Sequence, residues 1–121
     1  MSKLILIIED QEDNRRIMRD LLTSAGYKVI EAVTAEAGVM SAETHCPDLI
    51  LMDIQLPDFD GYEATRRIKA NSALSSIPVI AVTSYALSGD DVKAYEAGCD
   101  AYVSKPFSPR KLLAKIREFF A

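Results

Sequence analysis

The stretch LILMDIQLPDFDG, Leu49 to Gly61, starts as an uninterrupted apolar run of strand length and then carries a carboxylate, Asp53, at the end of that run. A strand with one solvated face alternates apolar and polar residues, so an unbroken run reads as a strand buried on both faces. A buried strand that finishes in an acid needs a reason elsewhere in the chain.

Working outward, four further runs have the same character: KLILIIE (Lys3 to Glu9), YKVIEA (Tyr27 to Ala32), IPVIAVT (Ile77 to Thr83) and DAYVS (Asp100 to Ser104). Helical periods fill the gaps. Ile17, Met18, Leu21, Leu22 and Ala25 share one face of a first helix, and Gly26 stands where a left-handed C-terminal residue belongs. A second helix follows Thr34 as N-cap and ends before Pro47; a third runs from about Gly61 to Ala70, and a fourth from about Ser88 to Ala97, with Gly98 after it. Leu112, Leu113, Ile116, Phe119 and Phe120 recur at helical spacing in the last. Strand and helix alternating in this way predict an α/β fold, a doubly wound five-stranded parallel sheet covered by five helices.

Bulk properties agree with one globular domain over residues 1–121 and no separate output module. The 121 residues are 49% hydrophobic and 26% charged, with a net charge of −4. No linker, repeat or low-complexity tract interrupts them. Acids and bases are mixed along the chain, which removes the basic footprint expected of direct nucleic-acid binding. Membrane insertion needs an apolar run of roughly 20 residues, and no such run exists. The start, MSKLILIIEDQ, lacks the features of a secretory signal, so a cytoplasmic setting is expected. Cys46 and Cys99 form no CxxC and read as buried thiols.

In an open parallel sheet, ligands bind beyond the C-terminal ends of the strands. Those ends here carry Glu9 and Asp10, Asp53, Thr83 and Ser84, and Ser104, Lys105 and Pro106. Each residue alone has a plainer reading: a helix cap, a strand end or a solvated lysine. Together they are not independent, because clustered carboxylates repel one another unless a cation lies among them. Hard oxygen donors without His or Cys favour Mg²⁺. A divalent cation, a lysine and a hydroxyl are what phosphoryl transfer asks of a protein, and Asp53, at the centre, is then the nucleophile.

The pair Glu9-Asp10 with LILMDIQLPDFDG, IPVIAVTSYA and AGCDAYVSKPF resembles the response-regulator receiver domain of two-component signalling, from one end of the chain to the other. The wording MDIQLP and GCDAYVSKP resembles stand-alone receivers, of the DivK type of cell-cycle control or of the chemotaxis type, and the absence of a linker favours a free-standing regulator over a piece of a hybrid kinase. The resemblance implies the flavodoxin-like strand order 2-1-3-4-5. It further implies that Asp53 accepts a phosphoryl group from a histidine kinase or a histidine phosphotransfer protein, and that the protein then acts on a downstream protein target. Asp10 and Asp53 would bind Mg²⁺ directly, Glu9 would act through a water, and the Gln55 carbonyl would complete the protein ligands. Lys105 would contact a phosphoryl oxygen. Thr83 is the implied switch hydroxyl, Tyr102 the aromatic that moves with it, and Lys105-Pro106 a bond often cis in the family. Gln55 and Tyr85 fall where receivers tune the phosphoryl lifetime.

In the family the responding face is the fourth helix, fifth strand and fifth helix, here roughly Ser88 to Ala121. The thin apolar stripe of Val92, Ala94 and Tyr95 predicts a loosely held fourth helix. Arg15, Arg16 and Arg19 on the first helix are either a kinase-docking surface or a solvated face. His45 lies away from the acids and is no phosphate donor to them. Two other classes compete with the switch. A small-molecule phosphotransferase usually has a second Asp two residues after the nucleophile, where this chain has Gln55. A flavin carrier needs a phosphate-binding loop after the first strand, where Glu9 to Asp13 would repel an anion.

Overall fold

The computed structural model describes residues 2–84 and 90–120, with backbone only at residues 90 and 91. Five strands alternate with five helices: β1 Leu4–Ile8, α1 Glu12–Ser24, β2 Lys28–Ala32, α2 Ala35–His45, β3 Leu49–Asp53, α3 Gly61–Ala70, β4 Val79–Thr83, α4 Asp90–Ala97, β5 Ala101–Ser104 and α5 Pro109–Phe120. All neighbouring strands are parallel and lie in the order β2-β1-β3-β4-β5. The doubly wound, flavodoxin-like sheet is therefore present. Tyr85 and the expected start of the fourth helix at Ser88 lie outside the described residues.

The pleat explains the apolar run. Successive strand residues point to opposite faces, so Ile50 and Met52 join Leu6, Ile8, Val79 and Ala81 in a layer closed by Ala42, Ile68 and Ala94 of α2, α3 and α4. Leu49 and Leu51 join Ile5, Ile7, Ile80 and Val82 in the opposite layer, closed by Met18 and Leu22 of α1 and Leu112 and Ile116 of α5. With both faces covered, every residue of β3 and β4 is buried.

Helix ends follow side-chain chemistry. The Thr34 hydroxyl accepts from the Ala37 amide, and both Asp58 carboxylate oxygens accept from Ala35 and Glu36, each at 2.9 Å. The first turn of α2 is thus saturated by a loop that follows β3. Asp60 caps α3 through the Glu63 amide. Gly26 takes a φ of +94° after α1, as its position predicts.

Several packing expectations are corrected. Ile17 and Ala25 belong to the apolar stripe of α1 but are exposed, because the layer below contacts only Met18 and Leu22 fully. Cys99 is buried, whereas Cys46 is exposed at the left-handed C-cap of α2, with φ 44°. On α4, Ala94 and Ala97 face the core while Val92 and Tyr95 stand in solvent. Among the described side chains of that helix, the buried ones are the small Ala94 and Ala97, so its stripe is thinner than its sequence suggested.

Candidate functional site

Parallel strands bring their C-terminal ends to one edge, and the register decides which ends meet. Ile8 lies opposite Met52, Asp53 opposite Val82, and Thr83 opposite Ser104. Asp53 therefore sits between the ends of β1 and β4. Glu9 and Asp10 follow β1 directly, and one carboxylate oxygen from each of Glu9, Asp10 and Asp53 lies within 4.8 Å of the others. Glu9 is 0% and Asp53 6% exposed, while Asp10 is open to solvent. An open cavity of about 310 Å³ is lined by Asp10, Asp53, Gln55, Ser84 and Lys105, among others.

Lys105 enters from the end of β5. Its amide donates to the Thr83 carbonyl at 2.7 Å, and its bond to Pro106 is cis, as the family resemblance implied. Its Nζ lies 2.5 Å from Glu9 Oε1 and 3.5 Å from Asp53 Oδ1. Two buried carboxylates thus share one ammonium, and Glu9 holds the nearer position. Burial first, and then the neighbouring Glu9, push the Asp53 carboxyl up to about 8, against the pull of Lys105 and of the Gln55 amide. For Glu9, burial is outweighed by hydrogen bonds to Asp53 and Lys105, which hold it below the usual carboxylate range. Two buried carboxylates draw on one ammonium, so added positive charge beside Asp53 would bring its carboxyl back toward the ordinary range.

The donor set fits Mg²⁺: three hard carboxylates at one cavity, with no His or Cys in the cluster and an exposed side at Asp10 where waters can complete the shell. Thr83 is fully buried at the end of β4. Tyr102, on β5, is half-buried against the α2–α4 layer and also borders a surface cavity with Lys111 and Lys115. His45 is exposed at the far end of α2, which leads into the start of β3 rather than its end.

A glycine sets how closely α3 can approach Asp53. A Cβ on Gly61 would lie 2.3 Å from the Asp53 carbonyl oxygen and 2.9 Å from Ile54 Cα. Both are backbone atoms, so relief requires moving the main chain that carries Asp53. Gly61→Ala is expected to cost about 1–3 kcal/mol of stability, read by chemical denaturation; an unchanged midpoint and slope would show that the loop yields freely.

Three contacts were invisible to spacing and charge. They are the Lys105 pairing with Glu9, the Asp58 cap on α2, and the use made of Arg15. Among the described residues, Arg15 and Arg19 both pair with Glu31 of β2, whereas Arg16 pairs with Asp13 on its own helix. Reading the run as one displayed basic face is corrected accordingly.

With this geometry in place, the relatives are informative. The model of the response regulator receiver domain matches residues 5–117, and the chain belongs to that family. It is a receiver domain of two-component signalling. Among curated proteins it is similar to the polar-differentiation response regulator DivK of Brucella ovis and of Brucella melitensis, each 42% identical over 119 residues, 98% of this chain and 97% of theirs. Among solved structures it is similar to the receiver domain of the sensor histidine kinase PA1611 from Pseudomonas aeruginosa, 37% identical with a TM-score of 0.92 and 98% of each chain covered; that structure has a magnesium ion coordinated in its active-site cleft. A CheY-like receiver domain protein from Methanospirillum hungatei is 38% identical, with a TM-score of 0.89, over 98% of this chain and 93% of its own. No helix among the described residues is long and apolar enough to cross a membrane.

Proposed function

We propose that this chain is a phosphorylation-activated switch, a single receiver unit that takes a phosphoryl group from the phosphohistidine of a sensor kinase or phosphotransfer protein onto Asp53. The observation that carries this reading is the convergence of Glu9, Asp10 and Asp53 within 4.8 Å at the strand edge that Lys105 also reaches. An Asp53 carboxylate oxygen attacks phosphorus, the bond from phosphorus to the histidine nitrogen breaks, and the donor leaves as imidazole. Asp10, Asp53 and the Gln55 carbonyl would hold Mg²⁺, with Glu9 acting through a water, and the ion would supply positive charge to the phosphoryl oxygens. Lys105 leaves its place beside Glu9 to bond a phosphoryl oxygen. The chain turns over no external substrate beyond forming and hydrolysing its own acyl phosphate.

The added group brings about −1.5 to −2 charges to the edge where Thr83 and Lys105 stand. The Thr83 hydroxyl donates to a phosphoryl oxygen, and Tyr102 repacks over the space this leaves. The charge can bias two states only by as much as they differ in binding it. α4 is held to the core by small residues, so α4, β5 and α5 form the responding surface and present it to a downstream protein. The kinase or phosphotransfer partner contacts the open cavity, and the whole exchange takes place in the cytoplasm.

Beryllofluoride with Mg²⁺ mimics the phosphorylated aspartate and tests the switch directly. Backbone NMR shifts are expected at Thr83 and Tyr102 and along residues 90–120 in the wild type. In Thr83→Ala the adduct at Asp53 should still form, with the distant shifts reduced by more than half. Full-sized distant shifts in Thr83→Ala would remove that hydroxyl from the relay.

A further inference from the structure

The strands explain where Glu9 and Asp10 lie but not what fixes the peptide linking these adjacent carboxylates. Arg15, in the second turn of α1, reaches back to it. Its Nη1 donates to the Glu9 carbonyl at 3.1 Å and to the Asp10 carbonyl at 3.2 Å. Its Nε lies 3.3 Å from Glu31 Oε1 at the end of β2, and Arg19 Nη1 donates to both Glu31 oxygens at 3.1 Å. The Arg15 side chain is only 16% exposed. We infer that Arg15, oriented by Glu31, is a positioning residue for the divalent-cation site: it holds the Glu9-Asp10 backbone so that the carboxylates are aimed before the cation arrives. This inference rests on the Mg²⁺ reading above.

The chemistry of the contact supports a positioning role. A guanidinium beside an acidic pocket would ordinarily bind the carboxylates and compete with the cation. Here the described bonds to the acidic pair go to its carbonyls, and the carboxylate that Arg15 does engage is Glu31, on a different strand. The pocket keeps its anionic oxygens while its main chain is fixed. Groups that orient metal ligands in this way raise affinity by removing the ordering cost from the binding step.

The sign of one substitution separates this role from simple electrostatics. Removing a positive charge next to three carboxylates should tighten Mg²⁺ binding by Coulomb's law alone. Removing a clamp should weaken it. Mg²⁺ affinity measured by isothermal titration calorimetry is expected to fall by about 10-fold in Arg15→Ala, the low end of the range for groups that orient metal ligands. Glu31→Gln, which leaves Arg15 in place but less firmly oriented, should also lose affinity, by less than Arg15→Ala. The double variant should be no worse than Arg15→Ala, because both act through one contact chain. Arg15→Lys should recover part of the loss. Arg16→Ala removes an equal charge from the neighbouring, exposed position, where the partner is Asp13, and should not weaken binding.

Unchanged or tighter binding in Arg15→Ala overturns the inference, and so does equal weakening in Arg16→Ala or strict additivity in the double variant. If Arg15→Ala does not fold, Glu31→Gln and Arg15→Lys carry the same test. A wild type that binds no Mg²⁺ overturns the metal reading itself, whereas a binding wild type with an indifferent Arg15 overturns only the clamp.

Discussion

Asp53→Asn is expected to abolish phosphoryl uptake completely and, without divalent cation, to make the folded chain more stable than the wild type at pH 8. Both effects come from one buried carboxyl. An amide oxygen is too weak a nucleophile to form the acyl phosphate, so the first effect is all or none. The second follows from the pairing: Asp53 is nearly buried and shares the Lys105 ammonium with Glu9, which lies closer to it. Its folded-state pKa is raised to about 8 from an ordinary 3.8, with burial the leading cause. A raised carboxyl contributes stability below its unfolded pKa and loses it as the pH rises through its folded pKa. Glu9 has the opposite sign, its contribution fading only as the pH falls below the ordinary carboxylate range. Between about pH 4 and 8 the cation-free wild type therefore loses stability as pH rises, and Asp53→Asn removes that slope. The gain at pH 8 should be about 1–4 kcal/mol, the order found when buried ionic groups give way to uncharged residues of similar volume. Urea denaturation of both proteins at pH 5 and pH 8 measures it; parallel pH profiles would contradict the assignment of the slope to Asp53.

Lys105→Ala should damage both stability and chemistry. Glu9 has no solvent exposure, and Lys105 is its ammonium partner. Deleting one partner of a buried pair leaves an uncompensated charge, at a cost of about 3–5 kcal/mol. The cost should shrink at pH 5, where the orphaned acid can protonate, and shrink again on adding Mg²⁺, whose binding should persist because its carboxylate ligands are intact. Phosphorylation should slow by about 10²–10³-fold, the usual effect of deleting one oriented donor to a developing charge. Stability and initial rate are read on the same preparation. Wild-type values for both would take Lys105 out of the site.

How far the sequence could be read depends on whether a property is periodic or relational. The strands and the sheet class were legible because burial on both faces writes an unbroken apolar run, as in Leu49 to Met52. The strand-edge cluster was legible because chain topology alone sends Asp10, Asp53, Thr83 and Lys105 to one edge. Periodicity gives the direction of a helix face but not the width of the surface it meets, which is why Ile17 and Tyr95 stood inside expected stripes and lie in solvent. Arg15 and Arg16 look alike in the chain. Only the position of Glu31 on a neighbouring strand separates a nearly buried clamp from an exposed side chain. The same holds for Lys105, whose nearer partner is Glu9 and not Asp53. Cys46 is exposed at the left-handed residue that ends α2, a position its own apolarity does not reveal.

Phosphoryl uptake at Asp53 is read most directly from the intact mass of the protein after incubation with acetyl phosphate, with and without Mg²⁺, on the wild type and Asp53→Asn side by side. One phosphoryl adduct is expected on the wild type; it should require Mg²⁺, survive acid, be lost to hydroxylamine, and be absent from Asp53→Asn. An adduct of equal yield on Asp53→Asn, or none on the wild type under any condition, would contradict uptake at Asp53.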